Sequence, residues 1–139
     1  MRKNTLFIRV DSSTKIGYGH FIRCMAVADT LKKNFEINFI TRSLEGSLSS
    51  DIQKKGFGIF RFYSNSEKIN EKNDAQKTIS LIKKHSGQKN ILIIGSSGGI
   101  GKAFINFYRK QDINNKIIGL SKTDKKDKPD GYDPILLAE

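Results

Sequence analysis

Apolar positions along the chain alternate between short β-branched or aromatic runs and stretches with helical spacing. The strand-like runs are Thr5–Val10, Ile37–Thr41, Gly58–Phe62, Ile91–Ile94 and Lys116–Leu120. The helical stretches are 21–31, 47–55, 74–85 and 100–110. Alternating strands and helices favour an α/β fold, and we expect a Rossmann-like, doubly wound parallel sheet of about five strands.

The helical stretches carry their own boundary signals. In the first, the apolar residues expected to face the core are Phe21, Ile22, Met25, Ala28 and Leu31. Gly56 is placed to cap the second helix at its carboxyl end. Asp74 is placed to cap the third, with Ile79 and Ile82 inward. The polar segment 121–130 predicts a loop or a disordered stretch, and the apolar run 135–138 is the last of the chain.

Length and cysteine usage narrow the class of protein. The chain has 139 residues, enough for one domain with a core, and no apolar run reaches the roughly 18 residues of a membrane-spanning helix. The apolar part of the N-terminus is too short for a signal peptide. The single cysteine, Cys24, excludes an internal disulfide and is expected in the core. We therefore expect a cytoplasmic protein without a membrane partner.

A net charge of +11 is compatible with binding to nucleic acid. The basic residues are spread along the chain and are not interleaved with aromatic residues, as stacking surfaces for bases require. We therefore expect no nucleic-acid partner. A lysine-rich solvated surface, together with a small anionic ligand of the nucleotide type, explains the charge more simply.

A cluster of chemically useful residues follows the first predicted strand. Asp11 ends that strand, Gly17-Tyr18-Gly19-His20 leads into the first helix, and Arg23 lies one turn later. Ligands of open parallel sheets bind outside the carboxyl ends of the strands, where glycines and a helix N-terminus favour anions. His20 has a pKa suited to proton transfer, and an arginine can bind a phosphate through two hydrogen bonds. A lone histidine at a helix start is also compatible with a capping or surface role.

The full string RVDSSTKIGYGHFIRCMAVADTL resembles the N-terminal signature of the PseG family, the UDP-sugar hydrolases of pseudaminic acid biosynthesis. Residues 41–48 and 73–84 also resemble parts of that family, so the likeness covers about residues 5–88. It implies the N-terminal half of a two-domain, glycosyltransferase-B-like enzyme that needs no cofactor. It implies His20 as the catalytic base, and the substrate-binding residues implied are Asp11, Gly17, Tyr18, Gly19 and Arg23.

A second glycine-rich turn, between a strand and a helix start, follows the fourth strand. Gly95 permits a tight turn, Gly99 a close approach to a pyrophosphate, and Gly101 close helix packing, although a simple strand-to-helix turn is also compatible. The string GSSGGIG resembles the cofactor motif of short-chain dehydrogenases/reductases over about residues 90–134. The cofactor-binding positions implied are Gly95, Ser97, Gly99, Ile100, Gly101, Ser121 and Lys122, the last two favouring NADP. Tyr132 has no lysine four residues later, so the family's catalytic pair is missing.

Together the two likenesses predict a hybrid, with a PseG-like segment at 1–89 and a reductase-like segment at 90–139 that completes the same sheet. Such a chain is truncated relative to both families. In a 3-2-1-4-5 strand order the two glycine loops would line one crevice. Three functions follow: a UDP-sugar hydrolase-like fragment with weak or no activity, an NADP-binding reductase fragment, or a non-catalytic nucleotide-binding remnant. A homo-oligomer that covers a sheet edge is an open alternative.

Overall fold

The computed structural model describes residues 3–63, 70–85, 90–94, 116–121 and 132–136. Along the chain these form β1 (Asn4–Arg9), α1 (Gly19–Leu31), β2 (Phe35–Arg42), α2 (Ser49–Lys54), β3 (Gly58–Phe62), α3 (Glu71–His85), β4 (Asn90–Ile94), β5 (Lys116–Ser121) and β6 (Tyr132–Leu136). The predicted helix at 100–110, the glycine-rich turn at 95–101 and the segment 122–130 lie outside the described residues.

The strands of the described residues form one parallel sheet in the order β3-β2-β1-β4-β5-β6. Ile8 of β1 pairs with Phe39 of β2 on one side and with Leu92 of β4 on the other. The chain winds outward from β1 to β3 and then returns to β4, so β1 and β4 flank the point where the winding reverses. The α/β class and the parallel sheet are thereby confirmed. The described residues include six strands, against the five that the pattern predicts.

One face of the sheet packs against α1 and α2. Side chains alternate along a strand, so every second residue of β1 and β2 points to this face. The core there consists of Leu6, Ile8, Val10, Ile37 and Phe39 from the sheet side, Phe21, Cys24, Met25 and Ala28 from α1, and Ile52 and Phe57 from α2 and its exit. A buried apolar layer of this kind is the main stabilising contribution to such a domain.

The opposite face of the sheet packs against α3. Phe7 of β1 is buried there beside Phe60 of β3, with ring centroids 6.3 Å apart. Arg9 lies on the same side of β1 as Phe7 and is hydrogen-bonded to Asp74 of α3. Ala75, Ile79 and Ile82 form the buried stripe of α3, which confirms the inward positions expected for the two isoleucines. Helices therefore cover both faces of the described part around β1.

Two local predictions are wrong. Helix α3 begins at Glu71 rather than after Asp74, because the Asn70 side-chain oxygen accepts a hydrogen bond from the Asn73 amide at 3.1 Å and so caps the helix earlier. Ile22 is 61% exposed instead of facing the core. Phe21 and Cys24 fix the buried stripe of α1, and Ile22 lies about 100° around the helix from Phe21. Gly56 adopts a φ of +79° at the end of α2, as its predicted capping role requires.

Candidate ligand site at the carboxyl edge of the sheet

The segment between β1 and α1 folds into a compact turn that presents the helix start. The Gly17 amide donates to the Ser13 carbonyl at 2.9 Å, and the Ile16 amide donates to Ser13 Oγ at 3.0 Å. Gly17 has a φ of +87°, a left-handed conformation that glycine adopts without steric cost. The turn delivers Gly19 and His20 as the first two residues of α1.

This turn is bound to the connection between β2 and α2. Tyr18 donates its hydroxyl hydrogen to the Gly46 carbonyl at 3.0 Å, and the Leu48 amide donates to Ser12 Oγ at 3.0 Å. The Thr14 amide donates to the Glu45 carbonyl at 3.4 Å. These hydrogen bonds therefore join the two connections to each other at the carboxyl edge of β1 and β2. Tyr18, a predicted substrate-binding residue, has its hydroxyl committed to this contact.

The N-terminus of α1 brings three of the predicted site residues together. Gly19 and His20 are exposed, and Arg23 is half-buried. A Cβ built on Gly19 would lie 3.9 Å from Arg23 Nη2, so the guanidinium lies beside the first turn of the helix. Tyr18 provides no side-chain cap and the first turn holds no acid. The amides at a helix start have no intrahelical acceptors, so this end of α1 can accept an anionic group.

Arg23 also has a polar atom that the described part of the protein does not satisfy. Its Nε is buried without a hydrogen-bond partner among the described residues. A buried donor of this kind is uncommon, since most find a partner in the protein, in water or in a ligand. Gly19, His20 and Arg23 thus share one helix end, as the sequence predicts.

Asp11 lies behind this surface, in a cluster of four charged side chains that we call the buried ion-pair cluster: Arg9, Asp11, Arg42 and Asp74. Asp11 accepts hydrogen bonds from Arg9 Nη2 at 2.9 Å, from Arg42 Nε at 2.7 Å and from the Arg42 amide at 2.9 Å. Its side chain is 6% exposed. Both carboxylate oxygens are therefore occupied by the protein itself.

Arg9 is the centre of the buried ion-pair cluster. Its Nη1 donates to Asp11 and, at 3.5 Å, to the Ile40 carbonyl, while Nε and Nη2 donate to Asp74 at 3.2 and 2.6 Å. With the bond from Nη2 to Asp11, the five N–H donors of the guanidinium meet five acceptors. The Phe62 ring lies below, its centroid 5.0 Å from Arg9 Cζ. This planar, fully bonded arrangement joins β1, β2, β3 and α3.

The contacts of the cluster shift the pKa values of Asp11 and Arg9. Burial alone would raise the pKa of Asp11, but the hydrogen bonds and charge of Arg9, together with Arg42, outweigh burial and hold that pKa below its usual value. Burial alone would lower the pKa of Arg9, but Asp11 and Asp74 raise it. Because the pKa of Asp11 is lowered on folding, the stability it contributes is present above its ordinary value of about 3.9. That stability is lost as the pH falls through the lower, folded value.

Sequence reasoning missed the members of the cluster other than Asp11 as parts of the site. A signal was present, because the apolar residues of the run TLFIRV are interrupted by a charged residue, Arg9, next to its carboxyl end. A charged residue at the end of a buried parallel strand requires a partner of opposite charge. The partner on α3 could not be found, because Asp74 lies 65 residues away in the sequence.

The remaining predicted residues belong to the second glycine-rich motif, and of these the structure describes Ser121. Gly95, Ser97, Gly99, Ile100, Gly101 and Lys122 lie outside the described residues. Ser121 ends β5, where its Cα pairs with Leu136 of β6. Cys24 is fully buried, and burial raises the pKa of its thiol to about 12, which fits a core residue rather than a nucleophile.

A cavity of about 500 Å³ lies at the opposite edge of the sheet, near the amino ends of β2 and β3. Lys3, Lys32 and Lys55 line it together with Phe35 and Gly58. Lys32 and Lys55 are both paired with Asp29, at 3.1 and 2.7 Å, and Lys3 donates to the Lys32 carbonyl. Its cationic groups are therefore already bonded within the protein.

Among the residues that the structure describes, no three His, Cys, Asp or Glu side chains are grouped so as to hold a metal ion. Across the same residues, none of the helices has both the length and the apolar character that crossing a bilayer requires.

Gly46 and Gly56 offer a matched test of the contact between the two connections. Both have a positive φ, of +72° and +79°, so alanine is strained at either position. A Cβ on Gly46 would lie 2.6 Å from Thr14 Cγ2 and 3.2 Å from the Tyr18 hydroxyl, whereas one on Gly56 would meet nothing within 4 Å. We expect Gly46→Ala to lower the free energy of unfolding by about 1–3 kcal/mol more than Gly56→Ala, since overpacking adds to the strain. Urea denaturation measures the free energy of unfolding of both variants. Equal losses would contradict the expectation that a Cβ at Gly46 overpacks against Thr14 and Tyr18.

The fold and this edge define a class: an α/β protein with a parallel sheet and a glycine-containing helix start at the carboxyl end of its first strand. No protein-family model matches the chain, and no curated protein matches it significantly. Among solved structures, a glycosyltransferase from Rickettsia africae ESF-5 is similar, with a TM-score of 0.58 and 17% sequence identity. The likeness covers 87% of this chain and 30% of that one, so this chain spans under a third of its length. At that identity the likeness shows the fold alone.

Proposed function

We propose that the chain is a UDP-sugar hydrolase-like protein of nucleotide-sugar metabolism, of the pseudaminic acid type, whose reacting site is the start of α1. The observation that carries the proposal is the meeting of His20 and Arg23 at one helix N-terminus, beside Gly19. In this proposal the ligand is a small nucleotide-sugar, no cofactor is needed, and the enzyme works in the cytoplasm.

The geometry supports a division of labour among these residues. The amides at the start of α1 and the Arg23 guanidinium would bind a phosphate of the nucleotide. His20 would accept the proton of a water molecule whose oxygen forms a bond to the anomeric carbon of the sugar. The bond between that carbon and the phosphate oxygen breaks, and UDP leaves with the electron pair. Asp11, with both oxygens occupied, would act by holding the turn and not by touching the sugar.

The same proposal extends to the organisation of the whole chain. We place segments 1–89 and 90–139 in one Rossmann-like, doubly wound sheet, and the pairing of Leu6 with Asn90 across β1 and β4 supports this. The neighbour of similar fold is a glycosyltransferase, which fits a ligand with a sugar.

A thermal-shift screen of the full chain against UDP, UDP-GlcNAc, NADP and NAD tests the ligand class. A ligand at 100 times its dissociation constant stabilises the folded state by about 2.7 kcal/mol, so binding is visible as a raised melting temperature. We expect a shift with the uridine ligands. A shift with NADP alone would overturn the proposal and assign the ligand to the turn at 95–101.

Replacing the proposed base separates binding from chemistry. We expect His20→Ala to lower UDP-sugar hydrolysis by about 10²–10⁴-fold, the usual contribution of a general base, while the thermal shift with UDP persists. His85→Ala is the matched control, because His85 is the other histidine of the chain and lies at the end of α3. Hydrolysis that survives in His20→Ala would show that His20 is not the base.

A further inference from the structure

We propose that Arg9 is a positioning residue for the site at the start of α1, acting through Asp11 on the two connections that hold that helix end. The inference rests on the proposed function for the activity that Arg9 would support. How Arg9 would position the site rests on contacts within the protein. Arg9 itself would touch neither the nucleotide nor the sugar, because it is 8% exposed and its five donors are occupied within the protein.

The first step is the chain of contacts from Arg9 to the two connections. The Asp11 carboxylate accepts a hydrogen bond from Arg9. It also accepts hydrogen bonds from the backbone amide and from Nε of Arg42, the last residue of β2. The next residue, Ser12, accepts the Leu48 amide. Consecutive residues after β1 therefore hold both ends of the connection that leads from β2 into α2.

The second step leads from that connection back to the helix start. The Gly46 carbonyl accepts the Tyr18 hydroxyl, and Tyr18 immediately precedes Gly19 and His20. The contacts thus form a closed loop: β1 to the connection after β2, and from there to the residue before α1. A displacement of Asp11 would be passed to Tyr18 from two directions, along the chain and across the Gly46 contact.

The third step concerns why an arginine occupies this position. A buried ion pair is often no more stabilising than apolar residues of the same volume, whereas its directional bonds can define one arrangement. Arg9 makes bonds to two carboxylates in one plane, and Asp74 anchors that plane to α3 on the far face of the sheet. A lysine would keep the charge but has three donors on a flexible stem, so it cannot reproduce this geometry.

The test compares Arg9→Lys, Asp74→Asn and wild type by amide hydrogen exchange on the full chain. Loop protection is reported by the amides of Gly17 and Leu48, and sheet protection by those of Ile8 and Phe39. We expect Arg9→Lys to accelerate exchange at the loop amides by about tenfold or more, with less than about threefold change in the sheet, since local opening is separable from global unfolding. Asp74→Asn should act in the same direction more weakly, because the Arg9–Asp11 bonds remain.

Asp29→Asn serves as the control, because it removes two ion pairs at the opposite edge of the sheet and should leave the loop amides unchanged. An equal acceleration in loop and sheet would show that Arg9 is merely structural, and no acceleration would show that it does not hold the loops. Either result overturns the inference.

A parallel thermal shift with UDP keeps the inference distinct from the proposed function. If wild type binds UDP, Arg9→Lys should weaken the apparent affinity by about tenfold, which corresponds to about 1.4 kcal/mol. Unchanged affinity in that variant would overturn the inference alone. If wild type shows no shift with UDP, the proposed function fails, while the exchange experiment still decides whether Arg9 positions the helix start.

Discussion

Arg9→Ala is expected to lower the free energy of unfolding by about 3–5 kcal/mol, because removing one member of a buried ion pair leaves uncompensated charge. The loss would leave Asp74 without the arginine that binds both of its oxygens, and Asp11 with Arg42 alone. It would also remove the guanidinium from the Phe62 ring. A domain of this size is typically stable by about 5–15 kcal/mol, so the variant should approach the limit of folding.

Urea denaturation of Arg9→Ala beside Lys55→Ala measures this effect. Lys55 also forms an ion pair, with Asp29, but its side chain is 50% exposed, so its removal should change stability by less than about 1 kcal/mol. A double variant, Arg9→Met with Asp74→Leu, should recover part of the loss, since apolar residues can replace a buried pair. A loss in Arg9→Ala no larger than in Lys55→Ala would contradict the central place given to the guanidinium.

Much of the fold around β1 could be predicted because it depends on local patterns. The run at 58–62 coincides with β3, and the other strand-like runs differ from their strands by one or two residues at an end. Buried strands of a parallel sheet are apolar over their whole length, which makes them visible in a sequence. Helix boundaries were harder: α3 begins earlier than expected because the capping oxygen belongs to Asn70, three residues before the amide it binds.

Some residues of the candidate site could be predicted from a short sequence motif, and others could not. Glycines, a histidine and an arginine within one turn of a helix start are neighbours by geometry, so Gly19, His20 and Arg23 could be placed together from their spacing. Asp11 could be placed at the same edge, but its partners could not. Arg42 and Asp74 reach it or its neighbour Arg9 through the pairing of β2 with β1 and the packing of α3. Contacts of that kind depend on tertiary structure and leave no local pattern.

Phe39→Ala is expected to lower the free energy of unfolding by about 3–5 kcal/mol, the usual range for removing a buried aromatic ring. Phe39 is 0% exposed in β2, and its ring centroid lies 5.8 Å from that of Phe57. It belongs to the layer shared by the sheet, α1 and α2, so a cavity there would have apolar walls on several sides. The surroundings can close such a cavity only in part, which is why the loss exceeds the transfer free energy of the ring.

Urea denaturation of Phe39→Ala, Phe39→Leu and Tyr63→Ala tests whether the loss of stability comes from a cavity in the core. Phe39→Leu should lose less than Phe39→Ala, because leucine fills part of the cavity. Tyr63 is 76% exposed, so its replacement should change stability by less than about 0.5 kcal/mol. The Phe39 side chain lies on the face of the sheet that packs against α1 and α2, whereas the Arg9 side chain lies on the face of α3. Phe39→Ala should therefore raise amide exchange in sheet and loop alike, and a loop-selective rise would show that the site depends on this core as well as on Arg9.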